Sequence, residues 1–581
     1  MAAPAAAILT APARRIAVMP VPLLVGLFCL VVYLHKPLVQ SSLDNQPLRW
    51  GATLLATGRP LDYAKLGLPP NSYYSFRDTG DGRIRSHTPV GTAFLAAPFF
   101  AAARALGVPF TSGNVVFLDS LLATLLTAAS AGMMAHLARR QGRRTAFFVG
   151  LAFGLGTAAY AVASRTLWQH TGQVFALLAG MCLLDAEKRS LERTALGVAM
   201  LALAAWCRPY VAPAIALLVL WEMRRGWKAA LAVGAVVALA VGVWVLFNLR
   251  TTGNLLGTYV SSRVLQHEFW KTYSVSLWGT LASPNRGMFV FSPLLLMGVP
   301  AMVWFLARAH REPYKAVLAL AVLAVVLPRG AFHGWFGGHT YGSRYMLDCA
   351  PFLMLLMAPF LHHALEVRRV LAVVPVALFL VSAGIQYLGA TRDFESWNIL
   401  MGMNTPANAW NRERTQIAHC LTRGESTRGP LRSAVRYALP PDGVINVSRD
   451  MGNEHVRYGI SYQPPHGAQV MPPGAGLVFF TPKPDFAYVS LQLTGPVYPV
   501  DPTRIECLLN GRVFHTEVVK FTDWEFKRST LIEVEGSRFV DGLNLMEFRV
   551  NRVFYPAASA APFGVTIGKV VIRPVRGGVF R

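Results

Sequence analysis

Asp44 stands in Ser41-Ser42-Leu43-Asp44-Asn45-Gln46-Pro47-Leu48-Arg49-Trp50, a few residues beyond the first long apolar run of the chain. A carboxylate at a membrane surface can take the proton from a sugar hydroxyl and make that oxygen nucleophilic. The same residue type also caps helices, by accepting N–H bonds from the following turn. A second stretch, Trp335-Phe336-Gly337-Gly338-His339-Thr340-Tyr341-Gly342-Ser343-Arg344-Tyr345, combines several kinds of recognition chemistry. Its glycines let backbone approach a ligand, its aromatics offer stacking faces to a sugar, and Arg344 offers a bidentate fork to phosphate. The alternative is an interfacial aromatic belt with Arg344 reaching toward lipid headgroups. Trp168 and His170, in Ser164-Arg165-Thr166-Leu167-Trp168-Gln169-His170, fall on a short turn between apolar runs and are candidates to line the same cavity. An interfacial tryptophan explains Trp168 equally well. Arg250, Arg263 and His267 are lesser candidates.

Two other patterns point away from metal chemistry. Arg77-Asp78-Thr79-Gly80-Asp81-Gly82-Arg83 resembles an Asp-Gly calcium loop but lacks the terminal bidentate Glu, and its flanks favour a β-hairpin turn. The six cysteines show no metal-ligand spacing; Cys29, Cys182 and Cys349 sit in apolar runs as small hydrophobes, and only Cys420 and Cys507 leave room for a disulfide.

The elements that must carry these residues are membrane spans. The chain has 581 residues, 53% of them hydrophobic and 15% charged, with a mean hydropathy of +0.39, too apolar for an ordinary soluble domain. About eleven apolar segments are predicted, near 17–35, 114–138, 145–163, 171–186, 194–207, 210–223, 229–247, 288–307, 315–328, 346–364 and 370–388. The pair 194–207 and 210–223 is read as a hairpin broken at Arg208-Pro209, because proline lacks an N–H and clashes with the preceding turn. The first span, followed by Lys36-Pro37, carries no small-residue cleavage site and reads as an uncleaved anchor.

Basic clusters fall at every second gap: Arg14-Arg15, Arg139 to Arg144, Lys188-Arg189, Arg224-Arg225, Arg308 with Arg311, and Arg368-Arg369. Cytoplasmic loops retain cations, so these clusters mark the inner side and the chemistry-bearing segments fall outside. Three long outer loops result, 37–113, 248–287 and 329–345, and loops of that length in a bundle are usually functional or disordered. The net charge of +25 does not imply nucleic acid. Residues 389–581 hold 22 Lys/Arg and 17 Asp/Glu, so most of the excess lies beside the spans, where lipid headgroups are the ordinary partner.

Beyond a linker, 391–440, the period changes from helical to alternating. Phe486 to Leu493 alternates; Arg504 to Leu509, Asn510-Gly511 and Arg512 to Val519 form a hairpin pattern, since Asn-Gly tolerates the positive φ of a tight turn. Further strands at Ser529–Val534, Leu543–Val550 and Val565–Ile572 predict an extracytoplasmic β-sandwich over 441–581, with a likeness to carbohydrate-binding jelly rolls.

An acidic residue in the first outer loop of a polytopic chain resembles the GT-C superfamily of membrane glycosyltransferases, in particular the bacterial branch related to protein mannosyltransferases and aminoarabinose transferases. The resemblance covers residues 1–390 and rests on layout together with short motifs. It implies that Asp44 is the catalytic base; Asn45 stands where the family often has a second acid. The family's Lys-Pro-Pro-like segment, whose cation contacts the donor phosphate, is matched by His87-Thr88-Pro89-Val90-Gly91 with Arg85 upstream, so either His87 or Arg85 takes that role. The plain alternative there is a turn and helix start at Pro89. Segments similar to Trp335–Tyr345 precede a late span in relatives, which implies donor-phosphate contacts from Arg344 and His339, and sugar or acceptor contacts from Trp335, Tyr345, Trp168 and His170.

The expected protein is a GT-C-like polytopic helical enzyme of the bacterial inner membrane, with its N-terminus inside and its C-terminal domain outside. Nucleotide sugars stay in the cytoplasm, so transfer outside requires a polyprenyl-phosphate-linked donor; the acceptor is a glycan, lipid or protein of the envelope. No cofactor is implied, with a divalent cation left open. The rival readings are an O-antigen-type polymerase or ligase and a lipid or glycan transporter. Few intramembrane charges beyond Asp119, Asp185, Arg208 and Asp348, and no internal repeat, weigh against transport.

Overall fold

A computed structural model of the chain describes residues 19–35, 45–66, 76–78, 82–110, 112–186, 190–257, 269–332, 334–338, 340–392, 394, 397–398 and 406–422, and toward the C-terminus 444–447, 456–458, 460–463, 467–470, 474–481, 483–494, 503–519, 529–540, 542–550 and 566–575. Asp44, His339, Arg263 and His267 lie outside the described residues.

The first part is a helical bundle, because its sequence offers long apolar runs with little polar periodicity. Its helices are α1 (Val21–Leu34), α2 (Gln46–Ala56), α3 (Gly91–Ala105), α4 (Ser112–Leu137), α5 (Arg143–Gly156), α6 (Gln169–Leu184), α7 (Leu191–Cys207), α8 (Ala212–Met223), α9 (Trp227–Thr252), α10 (Phe269–Ala282), α11 (Gly298–Ala307), α12 (Pro313–Val326), α13 (Ala350–His362), α14 (Val373–Thr391) and α15 (Gln416–Thr422). Among the described residues five helical stretches are long and apolar enough to cross a membrane: Asn114–Leu137, Trp227–Thr252, Pro313–Ala331, Ala350–Val367 and Arg369–Thr391. In α9 only 6% of the most apolar window is buried, so Leu231, Leu239 and Val241 face outward. Such a face is an aggregation hazard in water and matches hydrocarbon in a bilayer.

Every predicted apolar run is largely helical among the described residues, and the breaks have local causes. The run 288–307 is not one helix: Met288–Phe291 ends at Ser292, Pro293–Met297 is a tighter turn, and α11 follows, since Pro293 cannot donate into a continuous ladder. The run 145–163 ends its α-helix at Gly156 and closes with a wide turn, Ala159–Ala163. The break at Arg208-Pro209 occurs as predicted: Arg208 is extended (φ −152°, ψ 95°) between α7 and α8.

The long segments between the apolar runs hold further elements among the described residues. The first, 37–113, contains α2, α3 and the antiparallel pair of β1 (Phe76–Asp78) with β2 (Ile84–Ser86), in register Phe76 opposite Ser86; residues 79–81 of the Asp-Gly stretch between them lie outside the described residues. The second holds α10. Part of the predicted linker is packed as well: Phe394, Trp397, Asn398, Gln416 and Cys420 are buried.

The C-terminal strands β3 (Val444–Asn446), β4 (Val456–Tyr458), β5 (Ile460–Gln463), β6 (Gly467–Val470), β7 (Gly474–Thr481), β8 (Phe486–Thr494), β9 (Thr503–Leu509), β10 (Arg512–Val519), β11 (Ser529–Glu535), β12 (Gly542–Val550) and β13 (Thr566–Val575) form two antiparallel sheets. One has the order β10-β9-β12-β7-β4; the other runs β11-β8-β13-β6-β5, with β3 also pairing β13. Alternate residues of both sheets, Leu477 and Phe479, Val489 and Leu491, Cys507 and Leu509, Met546 and Phe548, Val570 and Ile572, share one core. The β9–β10 turn has Asn510 at φ 50° and Gly511 at φ 81°, the geometry that Asn-Gly favours.

Candidate functional site

Asp348 is fully buried just before α13 and gathers side chains from three other elements. His170 Nδ1, in the first turn of α6, lies 2.7 Å from its Oδ1. Oδ2 accepts Arg208 Nε at 2.5 Å, from the α7–α8 break, and Arg329 Nη2 at 3.4 Å, from the turn after α12. A carboxylate can only accept here, so His170 carries its proton on Nδ1. Tyr345 lies against all three neighbouring guanidiniums: Arg208, Arg329 and Arg344 stand 5.2, 4.7 and 5.0 Å from its ring centre. Arg344 also stacks 4.6 Å above Trp168, whose buried Nε1 has no hydrogen-bond partner among the described residues. Arg344, Tyr345, Trp168 and His170, singled out in two separate motifs, therefore meet in one place.

The backbone that brings them together follows from local sequence. Gly337, Gly338 and Gly342 adopt φ of 81°, 68° and 62°, which side chains resist, and a Cβ on Gly342 would sit 2.4 Å from the Phe291 ring. Arg286 then pins the loop. Its Nη1 donates to Thr340 O at 3.0 Å and Gln416 Oε1 at 2.8 Å, and its Nη2 to Asn398 Oδ1 at 2.8 Å. Gly342 N also donates to Gln416 Oε1 at 2.9 Å. Residues beyond the last span thus hold the glycine-rich loop, and Trp335 and Phe336 pack with Ala409 and Trp410.

A second buried group lies at the other end of the 164–170 segment. Asp119 accepts Thr166 Oγ1 and, at 3.2 Å, Leu167 N, with Arg49 Nη2 3.9 Å away. Asn45 Nδ2 donates to Thr166 Oγ1 at 2.9 Å. The residue beside Asp44 is therefore tied to the same short segment that presents Trp168 and His170. Asn45, Arg49, Asp119 and Thr166 are all buried, so this anchoring takes place away from bulk water.

Arg85 and His87 occupy a cavity rather than the Asp348 group. Its wall includes Arg85, Ser86, His87, Thr88, Trp206, Pro209, Trp244, Phe247, Asn248, Thr251 and Thr252. Arg85 Nη1 donates to Leu61 O at 3.0 Å, while Arg85 Nε and Asn248 Nδ2 are buried donors with no partner among the described residues. Arg344 does not line this cavity; the chain at Arg208-Pro209 joins the two places, with Pro209 in the cavity wall and Arg208 on Asp348. Pro89 and Val90 lead into α3 at Gly91, where a Cβ would come within 2.4 Å of Cys207 N; only glycine lets the His87 turn sit against the end of α7.

Arg208, Arg329, Asp348, Asp119 and Asn248 were not singled out as site residues from sequence. The available signals were an Arg-Pro break between two apolar runs and isolated carboxylates inside apolar segments, which usually mark function in membrane proteins. Arg250 is exposed on the last turn of α9. Among the described residues no group of His, Cys, Asp or Glu is arranged to hold a metal ion. No family model matches this chain, and no curated protein matches it.

Proposed function

We propose that this chain is a membrane glycosyltransferase, which moves a sugar from a polyprenyl-phosphate-linked donor to an envelope glycan, lipid or protein on the outer face of the bacterial inner membrane. The observation that carries the reading is the cavity between α3, the α7–α8 break and the outward-facing α9. It joins buried donors without partners among the described residues, Arg85 Nε and Asn248 Nδ2, to an aromatic wall of Trp206, Trp244 and Phe247. Two unsatisfied donors favour an anion, and a wall continuous with a lipid-facing helix suits a long apolar tail.

On this reading the donor phosphate sits with Arg85, His87 and Asn248, and the sugar reaches toward Trp168, Tyr345 and Arg344. Asp44 takes the proton of the acceptor hydroxyl. The acceptor oxygen bonds to the anomeric carbon as the bond from that carbon to the phosphate oxygen breaks, and the polyprenyl phosphate leaves with the electron pair. Attack from the face opposite the phosphate inverts the anomeric carbon. Arg85 stabilises the charge that grows on the leaving phosphate, while Arg344 stands at the sugar end.

The reading includes about eleven crossings, an N-terminus inside, and a jelly-roll-like C-terminal domain outside that is available to hold glycan. Mass spectrometry of envelope glycans tests it. A deletion strain should lack one sugar substituent that the intact gene restores, and an unchanged glycan profile would overturn the reading.

A further inference from the structure

Asp348 is bonded to two guanidiniums and an imidazole that come from parts of the chain 19, 140 and 178 residues away. Arg208 and Arg329 share a single oxygen of it, Oδ2, at 2.5 and 3.4 Å. Two guanidiniums held this close repel one another, and a carboxylate between them offsets that repulsion. The same carboxylate, through Oδ1, sets the tautomer and ring plane of His170. Tyr345, three residues earlier on the same turn, lies against Arg208, Arg329 and Arg344, so the orientation of the whole group depends on one buried anion.

We infer that Asp348 is a positioning residue for transfer: it holds Arg208, Arg329 and His170 in a single arrangement around Tyr345, and the reaction uses that arrangement without rebuilding it. The inference rests on the glycosyltransferase reading above. Asp348 itself does not touch donor or acceptor; it acts through the side chains it orients. Preorganised charge is what makes such a group effective, since cations that must first be gathered spend their interaction on reorganisation. Arg208 links the group to the donor cavity, because Pro209 is part of the cavity wall. Loosening Arg208 therefore disturbs alignment at the reacting end more than capture of the lipid phosphate at Arg85 and Asn248.

The test uses the full chain in lipid nanodiscs, with undecaprenyl phosphate as probe, and the same variants in the deletion strain. Asp348→Asn keeps the shape and removes the charge; Asp348→Glu keeps the charge at a longer reach. Undecaprenyl phosphate should bind Asp348→Asn within about threefold of the unaltered protein, whereas transfer, read as envelope glycan mass, should fall at least tenfold. Asp348→Glu should recover part of the transfer. A role in folding alone would lower thermal stability, binding and transfer together, and that result overturns the inference, as does Asp348→Asn with unaltered transfer. Should the unaltered protein neither bind the probe nor restore a glycan, the glycosyltransferase reading itself fails and the inference falls with it; unaltered protein that does both, with Asp348→Asn its equal, removes the inference alone.

Discussion

Asn45 and Thr166, 121 residues apart, are joined by a 2.9 Å hydrogen bond from Asn45 Nδ2 to Thr166 Oγ1. Thr166 is in turn bonded to Asp119, and two residues on, Trp168 lies under Arg344. The start of the 37–113 segment is thereby fixed, at Asn45, to the segment that also supplies His170 to Asp348. Asn45→Ala removes that bond and leaves Thr166 still held by Asp119. A buried neutral hydrogen bond contributes about 0.5–1.5 kcal/mol, so thermal stability should fall slightly. On the proposed function transfer should fall more than stability suggests, because Asn45 adjoins Asp44, the proposed base; comparing the melting temperature with the glycan yield checks this.

Arg85 and Asn248 should be felt in binding. Losing a charge-assisted hydrogen bond costs about 1.5–3 kcal/mol, so Arg85→Ala should weaken undecaprenyl phosphate by roughly 10- to 100-fold. Asn248→Ala should weaken it less, as a neutral donor. Neither should alter binding of undecaprenol, which has no phosphate. Equal losses for both lipids would place the effect on the apolar wall instead.

Cys507 offers a probe of the C-terminal sheets. It is fully buried on β9, and burial pushes its thiol well above the ordinary range. Only the thiolate reacts readily, so Cys507 should resist iodoacetamide in the folded chain and react once urea opens the two sheets. Peptide mass mapping before and after urea reads the difference. Cys420 and Cys507 are both buried, and no disulfide joins them.

Topology follows from charge placement and is open to a direct check. A phosphatase fused after Arg581 should be active outside the cytoplasm, and a fluorescent protein there should be dark. Bright cytoplasmic fluorescence would reverse the assignment of inner and outer loops.

The helices and strands were legible because their signals are local. Pro209 ends α7 wherever it stands, Asn510-Gly511 turns β9 into β10, and Gly337, Gly338 and Gly342 take the left-handed conformations that only glycine adopts freely. Arg344, Tyr345, Trp168 and His170 were visible by residue type. What could not be read was partnership. Nothing near Asp348 in sequence says that Arg208 and Arg329 share its Oδ2, or that Arg286 and Gln416, both distant in sequence from Thr340, will clamp its carbonyl. Such pairs depend on where helix ends meet in space. The expectation that His87 or Arg85 would join Arg344 treated one phosphate as one site; the chain instead sets a cavity and an arginine group on either side of the Arg208-Pro209 break.

The central claim is that Asp44 is the base. Asp44→Asn preserves size and capping ability, since both residue types cap helices well, and removes the proton acceptor. In the deletion strain this variant should reach the membrane at normal levels and, when purified, bind undecaprenyl phosphate normally. Its transfer, measured as the rate at which the sugar appears on envelope glycans, should drop by a factor on the order of 10²–10⁴. Transfer by Asp44→Asn at close to the unaltered rate would contradict the account.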